Sequence, residues 1–380
     1  MSYLSSCFAI FLSLFIVTQA IAEVAPPPPE LTVKAYLLKD AGGGRVLAEQ
    51  NSQGRVEPAS LTKLMTAYLS FKALKNGHLQ LTQTLPISVK AWKVEGSKMF
   101  VSPDMMNVTV DELLHGMIIQ SGNDASIVLA EGIAVTEEAF AAQMNKEAAR
   151  LGMVNTHYMN ATGLPDPEHY TTAADLSLLA VALIRDFPDQ YQRLYSVKEY
   201  TYNKITQPNR NRLLWSDPTV DGMKTGHTES AGYCLISSAK RGDGRLVSVV
   251  LGAPSDAARA TESQKLLNYG FQFFEAHLVY KAGKVINQQK VYKGTDNTVD
   301  ATVLTDLALM LPKGEYARVK AKVISAKRVI APISAGQELG TIQFSLDGKV
   351  IDERKLVAAK AVPLAGVFGR AIDSIKLIFN

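Results

Sequence analysis

The residues whose spacing could support chemistry begin with Ser60-Leu61-Thr62-Lys63. Apolar residues recur at helical spacing from here, which predicts a helix over 60–68, and residues three apart on a helix share a face. A serine hydroxyl becomes a good nucleophile when a base removes its proton, and a lysine with a lowered pKa can be that base. The helix start favours developing negative charge. The pattern predicts a Ser60 nucleophile with Lys63 as base. A helix-capping serine followed by a solvated lysine would give the same pattern.

Alone, this tetrad occurs by chance in many proteins, but two further polar motifs follow it. They are Ser121-Gly122-Asn123 and Lys224-Thr225-Gly226. The first comes one residue after a predicted helix over 111–119, and the second precedes a predicted strand over 232–239. Three such motifs in this order make coincidence improbable.

Other chemistries lack support in the sequence. The six histidines are scattered, and none has a second His or Cys at metal-ligand spacing, so we expect neither a metal nor a cofactor. No Gly-x-Ser-x-Gly nucleophile elbow occurs. The glycines at 42–44 lack the Gly-Lys-Ser/Thr of a phosphate loop and predict the turn of a hairpin over 31–51. A formal charge of +4 spread over 380 residues does not indicate nucleic-acid binding.

The composition is that of a globular protein with two or three domains, at 47% hydrophobic and 20% charged residues. Residues 1–22 carry no charged side chain, have an apolar core and end in Ala20-Ile21-Ala22, which predicts a cleaved signal peptide and export; an uncleaved anchor is the alternative. Residues 23–30 are a proline-rich spacer. The exported chain keeps one cysteine, Cys234, which we expect to be a small packing residue.

The rest of the chain predicts an α+β domain over 31–276, because helical stripes at 137–151 and 257–274 are mixed with antiparallel hairpins. Short strand-like runs then predict a small all-β domain over 277–362. Residues 363–380 form an amphipathic helical pattern with three charges opposite its apolar face. This pattern favours a helix lying in a membrane surface, and docking on the protein's own core is the alternative.

The three motifs together resemble the signature set of the penicillin-binding proteins and serine β-lactamases. Three further segments resemble the D-alanyl-D-alanine carboxypeptidases, the low-molecular-mass (class C) penicillin-binding proteins; they are 163–176, 220–228 and 270–275. The similarity extends over nearly the whole chain. It implies a transpeptidase-like domain, with an antiparallel sheet flanked by helices, followed by an all-β domain and a membrane-anchoring helix.

The resemblance implies a serine-type D-alanyl-D-alanine carboxypeptidase. It would remove the terminal D-Ala of peptidoglycan pentapeptides through an acyl-enzyme on Ser60 and be acylated by β-lactams. Lys63 is the implied general base, Ser121 a proton relay and Asn123 an amide partner of the substrate or of Lys63. Lys224 would help to keep Lys63 neutral by like-charge repulsion. Which group is the base in each step stays open.

The resemblance also implies the substrate-binding residues. Gly226 permits close backbone approach to an added peptide strand, and the backbone N–H groups of Ser60 and His227 form the oxyanion hole. The candidates for binding the substrate carboxylate are Thr225, Arg259 and Arg210. Either arginine could instead be an ordinary solvated side chain.

Several alternatives stay open. A β-lactamase would need a deacylating glutamate, but the residues around Glu168 do not match the required context. An endopeptidase or transpeptidase differs only in the acceptor or leaving group that the site admits. A non-catalytic β-lactam-binding wall protein would acylate without turnover. In each case we expect an exported protein at the periplasmic face of the inner membrane, held peripherally by the terminal helix.

Overall fold

The computed structural model describes residues 25–378. The predicted signal peptide lies outside these residues. Between residues 25 and 378 no helix has the length and apolar character needed to cross a membrane.

The strands are, in chain order, β1 (Ala35–Asp40), β2 (Val46–Gln50), β3 (Glu199–Tyr202), β4 (Ile205–Pro208), β5 (Val220–Thr228), β6 (Gly232–Arg241), β7 (Gly244–Ala253), β8 (Phe274–Tyr280), β9 (Asn287–Tyr292), β10 (Thr298–Thr302), β11 (Leu307–Pro312), β12 (Lys320–Ser325), β13 (Val329–Ile330), β14 (Glu338–Leu346) and β15 (Lys349–Ala358). The helices are α1 (Lys63–Lys75), α2 (Val89–Lys93), α3 (Val110–Ile119), α4 (Asn123–Ala134), α5 (Glu137–Arg150), α6 (Ala173–Asp186), α7 (Pro188–Tyr195), α8 (Leu213–Ser216), α9 (Asp256–Phe273) and α10 (Val367–Ile378). Two 3₁₀ helices cover Ala59–Thr62 and Tyr316–Arg318.

A five-stranded antiparallel sheet in the order β2-β1-β7-β6-β5 organises the first part of the chain. The predicted hairpin over 31–51 is confirmed as β1 and β2, and the hairpin around Gly242 as β6 and β7. β5 lies at one edge and pairs with β6 alone among the described strands. Its second edge is therefore open along the Lys-Thr-Gly motif.

Helices cover both faces of this sheet. One face packs against α9, and the other buries a larger core that includes α1 and α3 to α7. The helix starts follow local capping chemistry: Thr109 and Glu112 form a capping box on α3, while Thr172 and Ser255 accept backbone N–H bonds at the starts of α6 and α9. The predicted helices at 111–119, 137–151 and 257–274 are confirmed within a few residues.

The predicted helix over 60–68 begins differently from the expectation. Residues Ala59–Thr62 form a 3₁₀ turn, and the α-helix starts only at Lys63. Ala59 has a positive φ of 48°, and the Leu61 N–H donates to Pro58 O, so the chain enters through a tight turn. Ser60 and Lys63 still lie on adjacent turns of one continuous helical segment.

The C-terminal part is all-β from β8 onward, with a separate core of residues such as Val299, Ile342 and Phe344. Six strands form a sheet in the order β12-β14-β15-β10-β9-β13, and β8 pairs with β11. The chain then leaves β15 for α10. The α+β fold followed by an all-β domain is therefore confirmed.

Helix α10 docks with its polar side. The Asp373 carboxylate accepts the Lys293 N–H at 2.7 Å, which ties the helix to the end of β9. Four large apolar side chains on the helix are exposed, namely Val367 (70%), Phe368 (88%), Ile372 (55%) and Ile375 (59%). The apolar face therefore points away from the protein's own core.

Candidate active site

The predicted nucleophile and its predicted base meet directly. Ser60 is half-buried in the 3₁₀ turn, and Lys63 is only 1% exposed. Lys63 Nζ lies 2.9 Å from Ser60 Oγ, 2.7 Å from Asn123 Oδ1 and 2.6 Å from Thr162 O. The amine therefore has three oxygen neighbours at hydrogen-bonding distance, and one of them is the hydroxyl that it would activate.

The environment of Lys63 favours its neutral form more than water does. Burial and, after it, the nearby Arg210 cation lower the pKa of Lys63, while Asp124 and Glu137 oppose the change, and the resulting pKa is about 7. A substantial fraction of Lys63 is therefore neutral near neutral pH, as a general base requires.

The hydrogen bonds of Lys63 also orient its lone pair. A neutral amine has two N–H donors and one lone pair, whereas Asn123 Oδ1 and Thr162 O can only accept. These two oxygens can take both N–H donors. The lone pair then faces Ser60 Oγ and can accept the hydroxyl proton.

A second lysine–serine pair stands in the same site. Ser121 has a positive φ of 62° and is buried, and Lys224 Nζ donates to Ser121 Oγ and to Thr225 O, both at 2.9 Å. Burial, followed by charge on Lys63, Arg210 and Arg259, lowers the pKa of Lys224 well below its ordinary value. A neutral Lys63 removes the first of these charges, so Lys224 holds its proton more readily when Lys63 is the base. The structure thus brings both predicted lysines and both predicted serines together.

The Asn123 side chain is held in one orientation by its two ends. Its Nδ2 donates to Glu95 O at 2.6 Å, and its Oδ1 accepts from Lys63 at 2.7 Å. The Asn123 backbone N–H donates to Ser97 O at 2.7 Å. Because an amide nitrogen cannot accept, the contact with Glu95 O fixes the oxygen toward Lys63.

The Lys-Thr-Gly strand β5 lies against the turn that carries Ser60. A Cβ added to Gly226 would lie 3.1 Å from Pro58 O and 3.2 Å from Ala59 Cβ, so a side chain there would require the strand or the turn to shift by a few tenths of an ångström. His227 is exposed, and its ring lies tilted by 31° against that of Tyr233, with the ring centroids 4.0 Å apart.

These motifs open into a cavity of about 510 Å³. Its lining residues are Ser60, Ser97, Ser121, Pro208, Asn209, Arg210, Arg212, Thr225, Gly226, His227, Tyr233, Asp256 and Arg259. Among predicted site residues, only the buried Lys63, Asn123 and Lys224 lie behind this lining, in contact with it. The predicted residues therefore converge on one site.

The two candidate arginines differ in their partners. Arg259 is buried, donates to Gly226 O at 3.2 Å and pairs with Asp256. Arg210 is exposed on the cavity wall and, among the described residues, has no carboxylate within 4.0 Å. Arg212 beside it is paired with Asp256 at 2.5 Å. Of the three arginines that line the cavity, Arg210 is thus the one without a carboxylate partner among residues 25–378.

A loop over 160–172 packs against the helical segment that begins with the 3₁₀ turn Ala59–Thr62, here called the serine turn. Thr66 Oγ1 donates to Ala161 O at 2.7 Å, and His169 Nε2 lies 2.9 Å from Thr62 Oγ1. The Met159 N–H donates to His169 Nδ1, so the neutral ring donates from Nε2 to Thr62. Burial lowers the pKa of His169 to about 4, which keeps the ring neutral.

Sequence reasoning missed the contributions of Thr162 and Glu95. Both act through backbone carbonyls, which every residue has, so their side-chain types gave no signal. The resemblance of residues 163–176 to a loop beneath the site was the nearest available clue.

Two other predicted residues lie apart from the chemistry. Glu168 is exposed and outside the cavity lining, and Cys234 is buried in β6. Burial raises the pKa of the Cys234 thiol to about 11, as fits a packing residue. Between residues 25 and 378 no group of three His, Cys, Asp or Glu side chains is placed to hold a metal ion.

The site combines a serine beside a buried lysine with an open sheet edge and an arginine that has no carboxylate partner among the described residues. This combination is typical of serine enzymes that transfer the acyl group of a peptide. Comparison with known proteins narrows this class. Residues 22–255 match the family described as D-alanyl-D-alanine carboxypeptidase, and residues 274–364 match the C-terminal domain of penicillin-binding protein 5.

Individual relatives are similar to this chain over nearly its full length. The D-alanyl-D-alanine carboxypeptidase DacC of Escherichia coli is 42% identical over 97% of this chain and 94% of its own. DacA of the same organism is 41% identical over 95% of this chain and 91% of its own. The crystal structure of penicillin-binding protein 5 from Haemophilus influenzae has a TM-score of 0.78 at 41% identity, covering 89% of this chain and 99% of its own.

A more distant solved structure contains a bound ligand. It is a penicillin-binding protein of Listeria monocytogenes in its ampicillin-bound form, with a TM-score of 0.60, 32% identity, and coverage of 65% of this chain and 100% of its own. The chain described here belongs to the D-alanyl-D-alanine carboxypeptidase family. It is a serine-type D-Ala-D-Ala carboxypeptidase of the penicillin-binding proteins.

Proposed function

We propose that Ser60 is the nucleophile and that neutral Lys63 is its general base in removing the terminal D-Ala from peptidoglycan pentapeptides. The contact of 2.9 Å between Lys63 Nζ and Ser60 Oγ carries this proposal, together with the pKa of about 7. Lys63 takes the hydroxyl proton while Ser60 Oγ bonds to the carbonyl carbon of the penultimate D-Ala.

The oxyanion that forms is held by backbone N–H groups of Ser60 and His227. Gly226 supports this role, since the absence of a side chain lets β5 lie against the turn of Ser60. The substrate backbone adds along the open edge of β5 as an extra strand. These contacts hold the scissile carbonyl above Ser60 Oγ.

Expulsion of D-Ala requires a proton on its nitrogen. Ser121 donates its hydroxyl proton to the leaving amine as the C–N bond breaks, and protonated Lys224 replaces that proton through the 2.9 Å contact. In deacylation, water attacks the Ser60 ester and its proton passes through Ser121 to the now neutral Lys224. Ser60 Oγ leaves the acyl carbon and takes back the proton held by Lys63, which restores both lysines. Asn123 keeps the Lys63 amine aligned in both steps.

The substrate carboxylate binds to Arg210 and to the Thr225 hydroxyl. Arg210 faces the cavity without a carboxylate partner within 4.0 Å among the described residues, whereas Arg259 is occupied by Gly226 O and Asp256. Arg259 therefore holds the strand and adds positive potential to the site. This arrangement favours a peptide with a free C-terminus, and so a carboxypeptidase over an endopeptidase.

β-Lactams acylate Ser60 in the same manner and leave slowly. The ampicillin-bound relative supports acylation, and the exposed Glu168 supports slow release because no glutamate in this loop lines the cavity. Rapid turnover of penicillin would contradict this and favour the β-lactamase alternative.

The decisive experiment follows free D-Ala from a diacyl-Lys-D-Ala-D-Ala peptide. The native chain should release D-Ala, and Ser60→Ala should release none and fail to retain labelled penicillin. Ser196→Ala is the matched control, because Ser196 is exposed at the end of α7. No release by the native chain would refute the function, and undiminished release by Ser60→Ala would place the nucleophile elsewhere.

The protein acts outside the cytoplasm on the membrane surface, with α10 as its anchor. The signal-like residues 1–22 support export, and the exposed Phe368 and Ile372 support insertion of the helix into the lipid interface. Asp373 fastens the opposite side of the helix to the β domain. The enzyme is therefore peripheral at the periplasmic face.

Vesicle sedimentation tests this anchor. The chain without residues 1–22 should sediment with anionic phospholipid vesicles, and Phe368→Glu with Ile372→Glu should abolish sedimentation while D-Ala release persists. Leu304→Glu is a matched control, because Leu304 is 70% exposed on the β domain but lies outside the helix. Equal sedimentation of all three proteins would exclude α10 as the anchor.

A further inference from the structure

A buried carboxylate stands directly behind the site. Asp124 follows Asn123 on α4 and is fully buried. Its Oδ1 accepts the backbone N–H groups of Met99 (3.0 Å) and Ala125 (2.9 Å), and its Oδ2 accepts those of Phe100 (2.8 Å) and Val101 (3.2 Å). Three of these four donors belong to one loop. A single carboxylate therefore fastens the segment 95–101.

This segment holds the orientation of Asn123. Glu95 O accepts from Asn123 Nδ2, and Ser97 O accepts the Asn123 N–H. Phe100 has a positive φ of 69°, a conformation that the chain does not favour without such anchoring. The geometry leaves little room for change, because a Cβ on Gly122 would lie 2.8 Å from Asp124 Oδ1.

We propose that Asp124 is a positioning residue of the reaction: its carboxylate fixes segment 95–101, so that Asn123 Oδ1 faces Lys63, and its negative charge acts on the Lys63 amine. The proposal rests on the role of Lys63 as base. Asp124 touches neither Ser60 nor the cavity, so its effect reaches the chemistry through Asn123 and Lys63.

The charge part of the proposal depends on every group around Lys63. The charged and titratable groups facing it are Asp124 on α4, Glu137 on α5, His169 in the loop below, Arg210 after β4 and Lys224 on β5. Burial and Arg210 lower the pKa of Lys63, and the two carboxylates raise it. Loss of either carboxylate should therefore let Lys63 become neutral at a lower pH.

Asp124→Asn disturbs the loop as well as the charge. Each carboxylate oxygen accepts two N–H bonds, so the amide NH₂ must face two donors whichever way the amide is turned. The loop should loosen, and Asn123 should lose its fixed orientation. A misplacement of this kind slows acylation by roughly 100-fold.

Glu137→Gln is the matched control for charge alone. Glu137 is buried and accepts from Ala161 N at 2.9 Å and from Lys90 at 2.9 Å, and none of its bonds involves segment 95–101. Gly122→Ala is the matched control for position alone. Its Cβ would displace the Asp124 carboxylate, but Asp124 would keep its negative charge.

The readouts are the pH profile of Ser60 acylation by a chromogenic β-lactam and acrylamide quenching of Trp92. Trp92 precedes the segment, its carbonyl accepts from Lys98 Nζ, and Trp215→Phe makes it the sole tryptophan of the chain. Asp124→Asn should slow acylation, raise quenching and move the acid limb to lower pH. Glu137→Gln should only move the acid limb of the pH profile to lower pH. Gly122→Ala should only slow acylation and raise the acrylamide quenching of Trp92.

Native acylation and native quenching in Asp124→Asn would overturn the positioning role. An acid limb that stays in place or moves to higher pH in both carboxylate variants would overturn the charge role. If Asp124→Asn does not fold, Gly122→Ala and Glu137→Gln test the two parts separately. Failure of the native chain to release D-Ala would instead refute the proposed function, so the two failures are distinguishable.

Discussion

Gly163 should be indispensable for the geometry of the serine turn. It has a φ of +86°, and a Cβ built on it would lie 1.8 Å from Ala59 O and 2.9 Å from Thr62 Oγ1. Both neighbours belong to the 3₁₀ turn that contains Ser60. Gly163→Ala must therefore move either the loop over 160–172 or the turn itself.

The expected loss in the free energy of unfolding of Gly163→Ala has two parts. An alanine at this φ costs about 1–2 kcal/mol relative to a right-handed conformation. Overlap with a packed neighbour adds about 1–3 kcal/mol, which gives roughly 2–5 kcal/mol in total. A displaced Ser60 also lowers the rate of acylation, by about 100-fold for a shift near 1 Å.

Gly152→Ala separates these two parts. Gly152 has nearly the same φ, +81°, but nothing lies within 4 Å of its added Cβ, so only the first part, about 1–2 kcal/mol, applies there. Urea unfolding of both variants gives the difference in free energy of unfolding, and D-Ala release gives the activity. If Gly163→Ala is as stable and as active as Gly152→Ala, the proposed contact between loop and turn is wrong.

Three further outcomes follow from the site. The rate of Ser60 acylation should rise with pH through about 7, because Lys63 becomes neutral there; stopped-flow acylation that is independent of pH would exclude Lys63 as the base. Arg210→Gln should raise KM about 10- to 100-fold for a peptide with a free carboxylate and much less for the corresponding C-terminal amide; equal effects on both would exclude carboxylate binding. Cys234 should resist thiol reagents in the native protein and react on unfolding, because burial raises its pKa to about 11; rapid labelling of the folded chain would contradict this.

Local pattern was enough to locate the main polar residues. Ser60 and Lys63 are neighbours because the helical backbone places residues three apart on one side, and this survives the change from an α-turn to a 3₁₀ turn. The strand that follows the Lys-Thr-Gly motif was likewise predicted from its pattern, and the structure places the motif itself on the neighbouring strand β5. Such features depend on short stretches of chain, which sequence records directly.

The supports of the site escaped sequence reasoning because they depend on distant backbone atoms. Thr162 O and Glu95 O are separated from Lys63 and Asn123 by long stretches of chain, and a backbone carbonyl is present at a position whatever its side chain. The role of Asp124 was equally invisible, since a carboxylate near a helix start is commonplace. The open α10 face could be suspected from its pattern, but only the contacts of its polar side showed which way it faces.

The sequence by itself determined which reactive side chains are present: a serine one turn from a lysine, a Ser-x-Asn motif and a Lys-Thr-Gly motif in a recognisable order. The tertiary structure decided which arginine is free. Arg259 is bound by Gly226 O and Asp256, whereas Arg210 faces the cavity. It also decided the protonation of Lys63, because the pKa of a lysine depends on burial and on charges brought near it by folding, which residue order does not contain.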